Sequence, residues 1–272
     1  MNLREWLAQA EAQLSTGPHP DRARLDAETL LLHLIGKNKA WLMAHADDDF
    51  AGCTAIRFAS LLKRRRKGEP IQYITGETEF YGLPFRVTPD VLIPRPETEH
   101  LVEKSVGLAT VFDKPRIVDI GTGSGVIPVS LAHKLPESQI TAIDISGAAL
   151  SVAEENGRRN GVDIRFLEGD LLAPVAEERF EIIVSNPPYV AAVDRDSLSI
   201  EVRDYEPALA LFAGDDGLSI YLHLIPQAFA ALVPGGFIAL EIGYGQQPAI
   251  HSLLATAGFI DIQFTPDLQG IP

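Results

Sequence analysis

A single cysteine, Cys53, stands in the 272-residue chain, so no intramolecular disulfide can brace it. That scarcity, with a start that charges itself at once (Met1-Asn2-Leu3-Arg4-Glu5), argues against an oxidising compartment and a secretory leader, and a cytoplasmic location is expected. Long apolar runs are missing too. Phe229 to Leu240 is broken by Pro234-Gly235-Gly236 and falls short of the roughly 20 residues that a membrane span needs. Positive charge is scarce: 23 Lys and Arg face 37 Asp and Glu, a net charge of −14 that repels a phosphate backbone and makes nucleic acid a poor default partner. The histidines (His19, His33, His45, His100, His133, His223 and His251) show no paired ligand spacing, and no metal site is expected.

What is present is enough chain for one substantial domain and a smaller one. Residues 1–75 carry 11 basic and 9 acidic side chains, a net of +2, leaving −16 for the remainder. Leu3, Trp6, Leu7, Ala10 and Leu14 recur at helical spacing, and a second helix runs from Asp21 through Leu25, Leu30 and Leu34 to a stop at Gly36. A third segment is expected at Trp41 to His45. A fourth starts near Thr54 and ends in Lys63-Arg64-Arg65-Arg66-Lys67, then Gly68 and Pro70. Exposed cations at a helix C-terminus are favourable by about 0.3–1 kcal/mol, which accounts for the basic run without a nucleic-acid site and leaves contact with an acidic partner open. Residues 1–72 therefore form a small all-helical domain.

Between Tyr73 and Pro94 the pattern changes to short alternating pieces, Glu79-Phe80-Tyr81 and Phe85-Arg86-Val87, separated by Gly82-Leu83-Pro84; this reads as a β-hairpin linker over 73–94. From Arg116 apolar strand candidates at 116–120, 139–143, 163–167, 180–185, 236–242 and 259–264 alternate with helical stretches. That alternation is the signature of an α/β doubly wound sheet with crossover helices on both faces.

The first of these strands, Ile117-Val118-Asp119-Ile120, ends in a glycine-rich turn, Gly121-Thr122-Gly123-Ser124-Gly125, that opens a helix at Val126. A nicotinamide-type G-x-G-x-x-G fingerprint would need glycine where Val126 stands, so the D-x-G-x-G-x-G spacing points elsewhere. It resembles motif I of the seven-stranded, Rossmann-like S-adenosylmethionine methyltransferases. The next strand ends at Asp144, where a carboxylate can accept both hydroxyls of a ribose. Alone, Asp144 reads equally well as a helix cap near Ser146. The third strand leads into Glu168-Gly169-Asp170-Leu171, and the resemblance places Asp170 and Leu171 beside the adenine, with aliphatic contact where some relatives stack an aromatic ring. The cofactor residues expected are thus Asp119, Gly121, Thr122, Gly123, Ser124, Gly125, Asp144, Asp170, Leu171 and Asn186.

The fourth strand runs into Asn186-Pro187-Pro188-Tyr189. Two prolines fix φ and remove two backbone donors, which leaves carbonyls free to face a ligand. An amide or exocyclic amine nitrogen is a poor nucleophile because its lone pair is delocalised. If Asn186 Oδ1 and the Pro187 carbonyl each accept one N–H, the lone pair is aimed at the sulfonium methyl and the developing positive charge is stabilised; Tyr189 can pack on the flat group. Asn186, Pro187 and Tyr189 are the expected catalytic residues, with Pro188 joining them in binding substrate. The motif itself does not separate adenine N6 from glutamine N5, both planar NH2 groups.

The surrounding segments do carry a distinction: Phe80 to Phe85, Val91-Leu92-Ile93-Pro94-Arg95-Pro96-Glu97-Thr98-Glu99, Glu201-Val202, Glu206-Pro207-Ala208-Leu209 and Gly214 to Leu218. Over nearly the whole chain these resemble the peptide chain release factor N5-glutamine methyltransferases (PrmC/HemK family). The resemblance implies a methyltransferase domain over 95–272, methylation of the glutamine in the Gly-Gly-Gln motif of bacterial class 1 release factors, and an N-terminal domain that helps grip the factor. It also sets Ile93 to Glu97 against the cofactor side of the site. A sister group modifies glutamine of a ribosomal protein but tends to lack the Pro96-Glu97-Thr98 continuation. A DNA adenine methyltransferase would need a basic cleft or an added recognition region, and neither is visible. A pure binding module is disfavoured by the intact Asp119, Gly121, Asp144 and Asn186. Relatives continue beyond Gln269-Gly270-Ile271-Pro272 into a closing strand, so an incomplete final hairpin is expected.

Overall fold

The computed structural model describes residues 1–49, 53–266 and 270, the Cys53 side chain excepted. It divides into two compact units, Met1–Glu77 with Leu198–Tyr205, and Thr78–Ser197 with Glu206–Pro272.

The first unit is helical: α1 (Leu3–Leu14), α2 (Ala23–Ile35), α3 (Lys39–Ala44), α4 (Cys53–Arg66) and α5 (Ile71–Thr75). Its start is fixed locally by a reciprocal cap. Asn2 Oδ1 accepts the Glu5 N–H at 2.9 Å, and Glu5 Oε2 accepts the Asn2 N–H at 3.1 Å. Leu3, Leu7, Ala10 and Leu14 then fall on one face and pack with Leu30, Leu31, Phe58 and Leu62. Gly36 ends α2 at φ 62°, in the left-handed region.

The basic run closing α4 is not a uniformly exposed face. Arg64 pairs with Glu69, but Arg65 turns inward and is only 3% exposed. Its Nε donates to Asp26 Oδ2 at 2.6 Å, and its Nη1 reaches the Glu69 carbonyl at 3.0 Å and the Glu201 carboxylate. Glu201 lies on α9 (Ile200–Tyr205), far along the sequence. Three further contacts hold α9 in this unit: His19 Nε2 lies 3.3 Å from Glu201 Oε1, Tyr205 Oη donates to the Lys67 carbonyl at 3.1 Å, and Ile200 packs so closely on Gly68 that a Cβ there would lie 2.4 Å from its Cγ2. By sequence alone Arg65 is a solvated cation; its burial becomes favourable only when two distant carboxylates meet the guanidinium.

In the second unit a hairpin, β1 (Glu77–Phe80) and β2 (Leu83–Arg86), precedes α6 (Thr98–Ala109). Strands and helices then alternate: β3 (Arg116–Ile120), α7 (Val126–Lys134), β4 (Gln139–Asp144), α8 (Gly147–Arg159), β5 (Arg165–Glu168), β6 (Phe180–Ser185), α10 (Ser219–Ala231), β7 (Leu232–Leu240) and α11 (Gln247–Ala257). The sheet is wholly parallel in the order β5-β4-β3-β6-β7, with near-continuous apolar runs on its buried inner strands. Chain order reverses between β3 and β6, and ligand crevices of open parallel sheets form at the carboxyl ends of strands flanking such a reversal.

The expected seven-stranded sheet is corrected to five strands among the described residues. The segment 259–264 forms no ladder. Asp261 takes φ 54°, which breaks the extended run, while Phe259, Ile262 and Phe264 pack their side chains beside Tyr221, Ile225, Ile250 and Leu254. β7 begins at Leu232 rather than residue 236, and the Pro234-Gly235-Gly236 stretch lies at a register shift against β6. The incomplete hairpin expected at 269–272 falls outside the described residues apart from Gly270. No helix among the described residues is long and apolar enough to cross a membrane.

Arg65→Ala leaves the buried Asp26 with only Arg22, half-exposed and 3.6 Å away, and a cost of about 3 kcal/mol to the first unit is expected. Both tryptophans, Trp6 and Trp41, lie there, so urea denaturation followed by their fluorescence reads it directly. A loss below about 1 kcal/mol would show that the buried cluster does not hold the unit.

Candidate active site

Strand register brings the expected residues to one edge. Ile120 pairs with Ile143 and with Ser185, and Asp144 with Glu168, so the turns after β3, β4, β5 and β6 emerge side by side. In the first turn Gly121 and Gly123 adopt φ 73° and 54°. Gly125 is required twice over: its φ is 79°, and a Cβ there would lie 3.0 Å from that of Ala153.

Asp144 braces this turn. Its Oδ2 accepts the Gly123 N–H at 2.8 Å and its Oδ1 the Ser146 N–H at 2.9 Å, while Ser146 itself caps α8 through Ala149. Burial raises its carboxyl above the ordinary range, and the backbone donors at Ser146, Gly123 and Ile145 oppose that shift. With three backbone donors on its two oxygens, the carboxylate keeps a remaining lone pair for a ligand.

Asp119 is fully buried, and neither of its oxygens, nor the Thr122 hydroxyl beside it, completes a hydrogen bond within the described chain. Burial pushes the Asp119 carboxyl up to about 7; the nearby Thr122 hydroxyl lowers it, and the charge of Asp144 raises it further. An acid in this condition suits a cationic ligand. Ser124 is buried and offers its carbonyl to Asn156 Nδ2 at 2.8 Å. Across the edge, Asp170 is exposed and Leu171 holds φ 49°, a strained value for a residue with a Cβ.

Asn186-Pro187-Pro188-Tyr189 follows β6 directly. Asn186 Nδ2 donates to Thr98 Oγ1 at 3.1 Å, and Thr98 donates to Glu241 Oε2 at 2.7 Å. Tyr189 Oη reaches Glu241 Oε1 at 3.4 Å; Gln246 Nε2 donates to the Tyr189 carbonyl at 3.0 Å. Burial raises the carboxyl of Glu241 and the phenol of Tyr189 above their ordinary values. Among the described residues, no donor bonds Asn186 Oδ1 or the Pro187 carbonyl. Arg95 pairs with the buried Glu206 at 2.7 Å, and the Ile93 N–H approaches the same carboxylate at 3.4 Å. A surface cavity of about 610 Å³, lined in part by Arg116, His133 and Arg165, lies instead near the amino ends of β3, β4 and β5.

Sequence reasoning missed Glu241, and it named Thr98 without assigning it a function. A signal for Glu241 existed: a lone acid closing the apolar stretch Phe237 to Leu240, the pattern that had singled out Asp119 and Asp144. Nothing local marks Thr98, whose partners are 88 and 143 residues away.

The ionisation of Asp119 has a measurable consequence. The folded state holds its proton to about pH 7 whereas a free carboxyl releases it near 3.8, so raising pH across that window favours unfolding, by a few kcal/mol in all, and the loss is complete above about 7. Asp119→Asn lacks this loss. Its urea midpoint relative to the parent protein should rise from pH 5.5 to pH 8; a constant difference would refute the burial-driven shift.

Residues 5–76 match the PrmC N-terminal domain and residues 99–202 the Methyltransferase small domain. Release factor glutamine methyltransferases of Moorella thermoacetica (42% identical, spanning 99% of this chain and 96% of that one), Koribacter versatilis (39%, 100% and 96%) and Escherichia coli (39%, 98% and 95%) are similar over nearly their whole lengths. The crystal structure of the hMettl16 catalytic domain in complex with MAT2A 3′UTR hairpin 6 shares the fold at a TM-score of 0.55, with 20% identity over 80% of this chain and 77% of that one. The chain belongs to the release factor glutamine methyltransferase family.

Proposed function

We propose that this chain uses S-adenosylmethionine to methylate the side-chain amide nitrogen of the glutamine in the Gly-Gly-Gln motif of class 1 peptide chain release factors, with Asn186 and Pro187 as the groups that make the nitrogen reactive. The observation that carries the reading is the pair of unclaimed acceptors, Asn186 Oδ1 and the Pro187 carbonyl, at the strand edge that holds the glycine turn. When bound, S-adenosylmethionine supplies an electrophilic methyl on a sulfonium centre. The Asp119 carboxylate and Thr122 hydroxyl suit its cationic methionyl end, the glycines let backbone approach it, and Asp144 has acceptor capacity left for a ribose hydroxyl. Asp170 and Leu171 would border the adenine.

On the substrate side, Asn186 and Pro187 each accept one N–H of the carboxamide. These bonds hold the nitrogen in line with the methyl and gain strength as positive charge grows on it. In-line placement alone can supply roughly 7–11 kcal/mol of effective concentration. Methyl transfer would form the nitrogen–carbon bond as the methyl–sulfur bond breaks, and the N–H made strongly acidic by methylation would pass its proton to water, so no strong base is needed. Pro188 and Tyr189 wall the flat group. Residues 1–72 serve to grip the protein substrate.

Label from methyl-labelled S-adenosylmethionine should reach a class 1 release factor and spare its Gln→Ala variant, a ribosomal-protein glutamine substrate and adenine-containing DNA. Asn186→Ala should lower kcat by about 10²- to 10³-fold with little change in cofactor affinity. Label on the Gln→Ala factor or on DNA would overturn the substrate; full turnover in Asn186→Ala would overturn the mechanism.

A further inference from the structure

We infer that Thr98 and Glu241 set the polarity of Asn186, locking its amide with oxygen toward the substrate and thereby selecting a carboxamide over a carboxylate. The inference rests on the proposed role of Asn186 and deepens it by adding two positioning residues.

A threonine hydroxyl has one proton. In this structure that proton goes to Glu241 Oε2, at 2.7 Å, so Thr98 Oγ1 can only accept from Asn186, which lies 3.1 Å away. The group facing Thr98 must then be the amide NH2, and Oδ1 is turned to the opposite side. An amide seen without its partners could be placed either way round; here the carboxylate at the far end of the relay decides it.

Glu241 is itself firmly held. Its N–H donates to the Ser185 carbonyl at 3.0 Å, its own carbonyl accepts from Tyr221 Oη at 2.7 Å, and its second carboxylate oxygen faces Tyr189 Oη at 3.4 Å. Thr98 is 2% exposed, at the first turn of α6, so water has little access to substitute for it. The Asn186 amide donates to the Thr98 hydroxyl and that hydroxyl to the Glu241 carboxylate, a one-way series that leaves the amide oxygen bare. With the Pro187 carbonyl beside it, the site presents acceptors only. A glutamine NH2 brings two donors and is matched, whereas a glutamate side chain would set oxygen against oxygen. With the Thr98 link cut, the Asn186 NH2 keeps only its direct hydrogen bond to Glu241; the amide is freer to rotate and present its NH2, a donor that repels the substrate NH2 and welcomes a carboxylate.

The test compares Thr98→Val, Thr98→Ala, Thr98→Ser and Asn186→Ala, each assayed for methyl transfer to a release factor, for cofactor affinity, and for inhibition by the same factor carrying Gln→Glu. Thr98→Val and Thr98→Ala should lose roughly 10- to 100-fold in kcat, less than deletion of the Asn186 side chain, with cofactor affinity within about twofold. Thr98→Ser keeps the hydroxyl and should restore turnover to within a few-fold. Inhibition by the Gln→Glu factor should strengthen in Thr98→Ala, a change that a merely structural role would not produce; should Thr98→Val fail to fold, the smaller Ala side chain still gives both readouts. Asn186→Ala inactive while Thr98→Val and Thr98→Ala turn over at the parental rate would overturn the relay alone. Asn186→Ala at full activity would remove the mechanism on which it rests.

Discussion

Parallel pairing without slippage along β5-β4-β3-β6 is the constraint on which the site depends. Because Ile120 is level with both Ile143 and Ser185, and Asp144 with Glu168, the strands stop together, and whatever follows them is delivered to one edge. The residues there are of unlike kinds: an unpartnered acid near the end of β3 and three glycines after it, a bracing acid as the last residue of β4, a strained leucine after β5, an asparagine and two prolines after β6. A shift of one residue in a parallel ladder would turn the Asp119 carboxylate to the other face of the sheet. Ile117, Val118, Ile182, Ile183 and Val184 are buried on both faces of the sheet, so the hydrophobic core and the chemistry rest on the same strands.

A polar device completes what the strands position. The Asn186 side chain belongs to a chain of hydrogen bonds that starts at Glu241, just past β7, and passes through Thr98 at the head of α6. Three elements widely separated in sequence thus converge on one amide. Burial disfavours the charge on Glu241, and the hydroxyls of Thr98 and Tyr189 partly restore it. Downstream of the motif the chain folds briefly into the first unit, where Arg65 holds Glu201, and then returns with Glu206, which is tied to Arg95 and the Ile93 N–H.

Much of this was legible in the sequence, for identifiable reasons. Glycines at 121, 123 and 125 announce a turn because few other residues accept their φ values, and acids at the ends of apolar runs stand out by polarity. The helices of the first unit are written in the period of Leu3, Leu7, Ala10 and Leu14. What escaped was everything decided by a distant partner. Arg65 reads as a surface cation until Asp26 and Glu201 are brought to it. Thr98 reads as an ordinary helix-start residue until Asn186 and Glu241 flank it. The strand expected at 259–264 has the composition of one, but Asp261 sits at positive φ, and its apolar side chains pack against a side-chain cluster instead of extending the sheet.

The central claim concerns one nitrogen between two oxygens. A crystal structure with S-adenosylhomocysteine and a peptide carrying the Gly-Gly-Gln glutamine tests it most directly. The account predicts the glutamine amide nitrogen within hydrogen-bond reach of both Asn186 Oδ1 and the Pro187 carbonyl, with the Asn186 NH2 still on Thr98. A glutamine side chain cradled by other groups, with Asn186 turned away from it, would contradict the account.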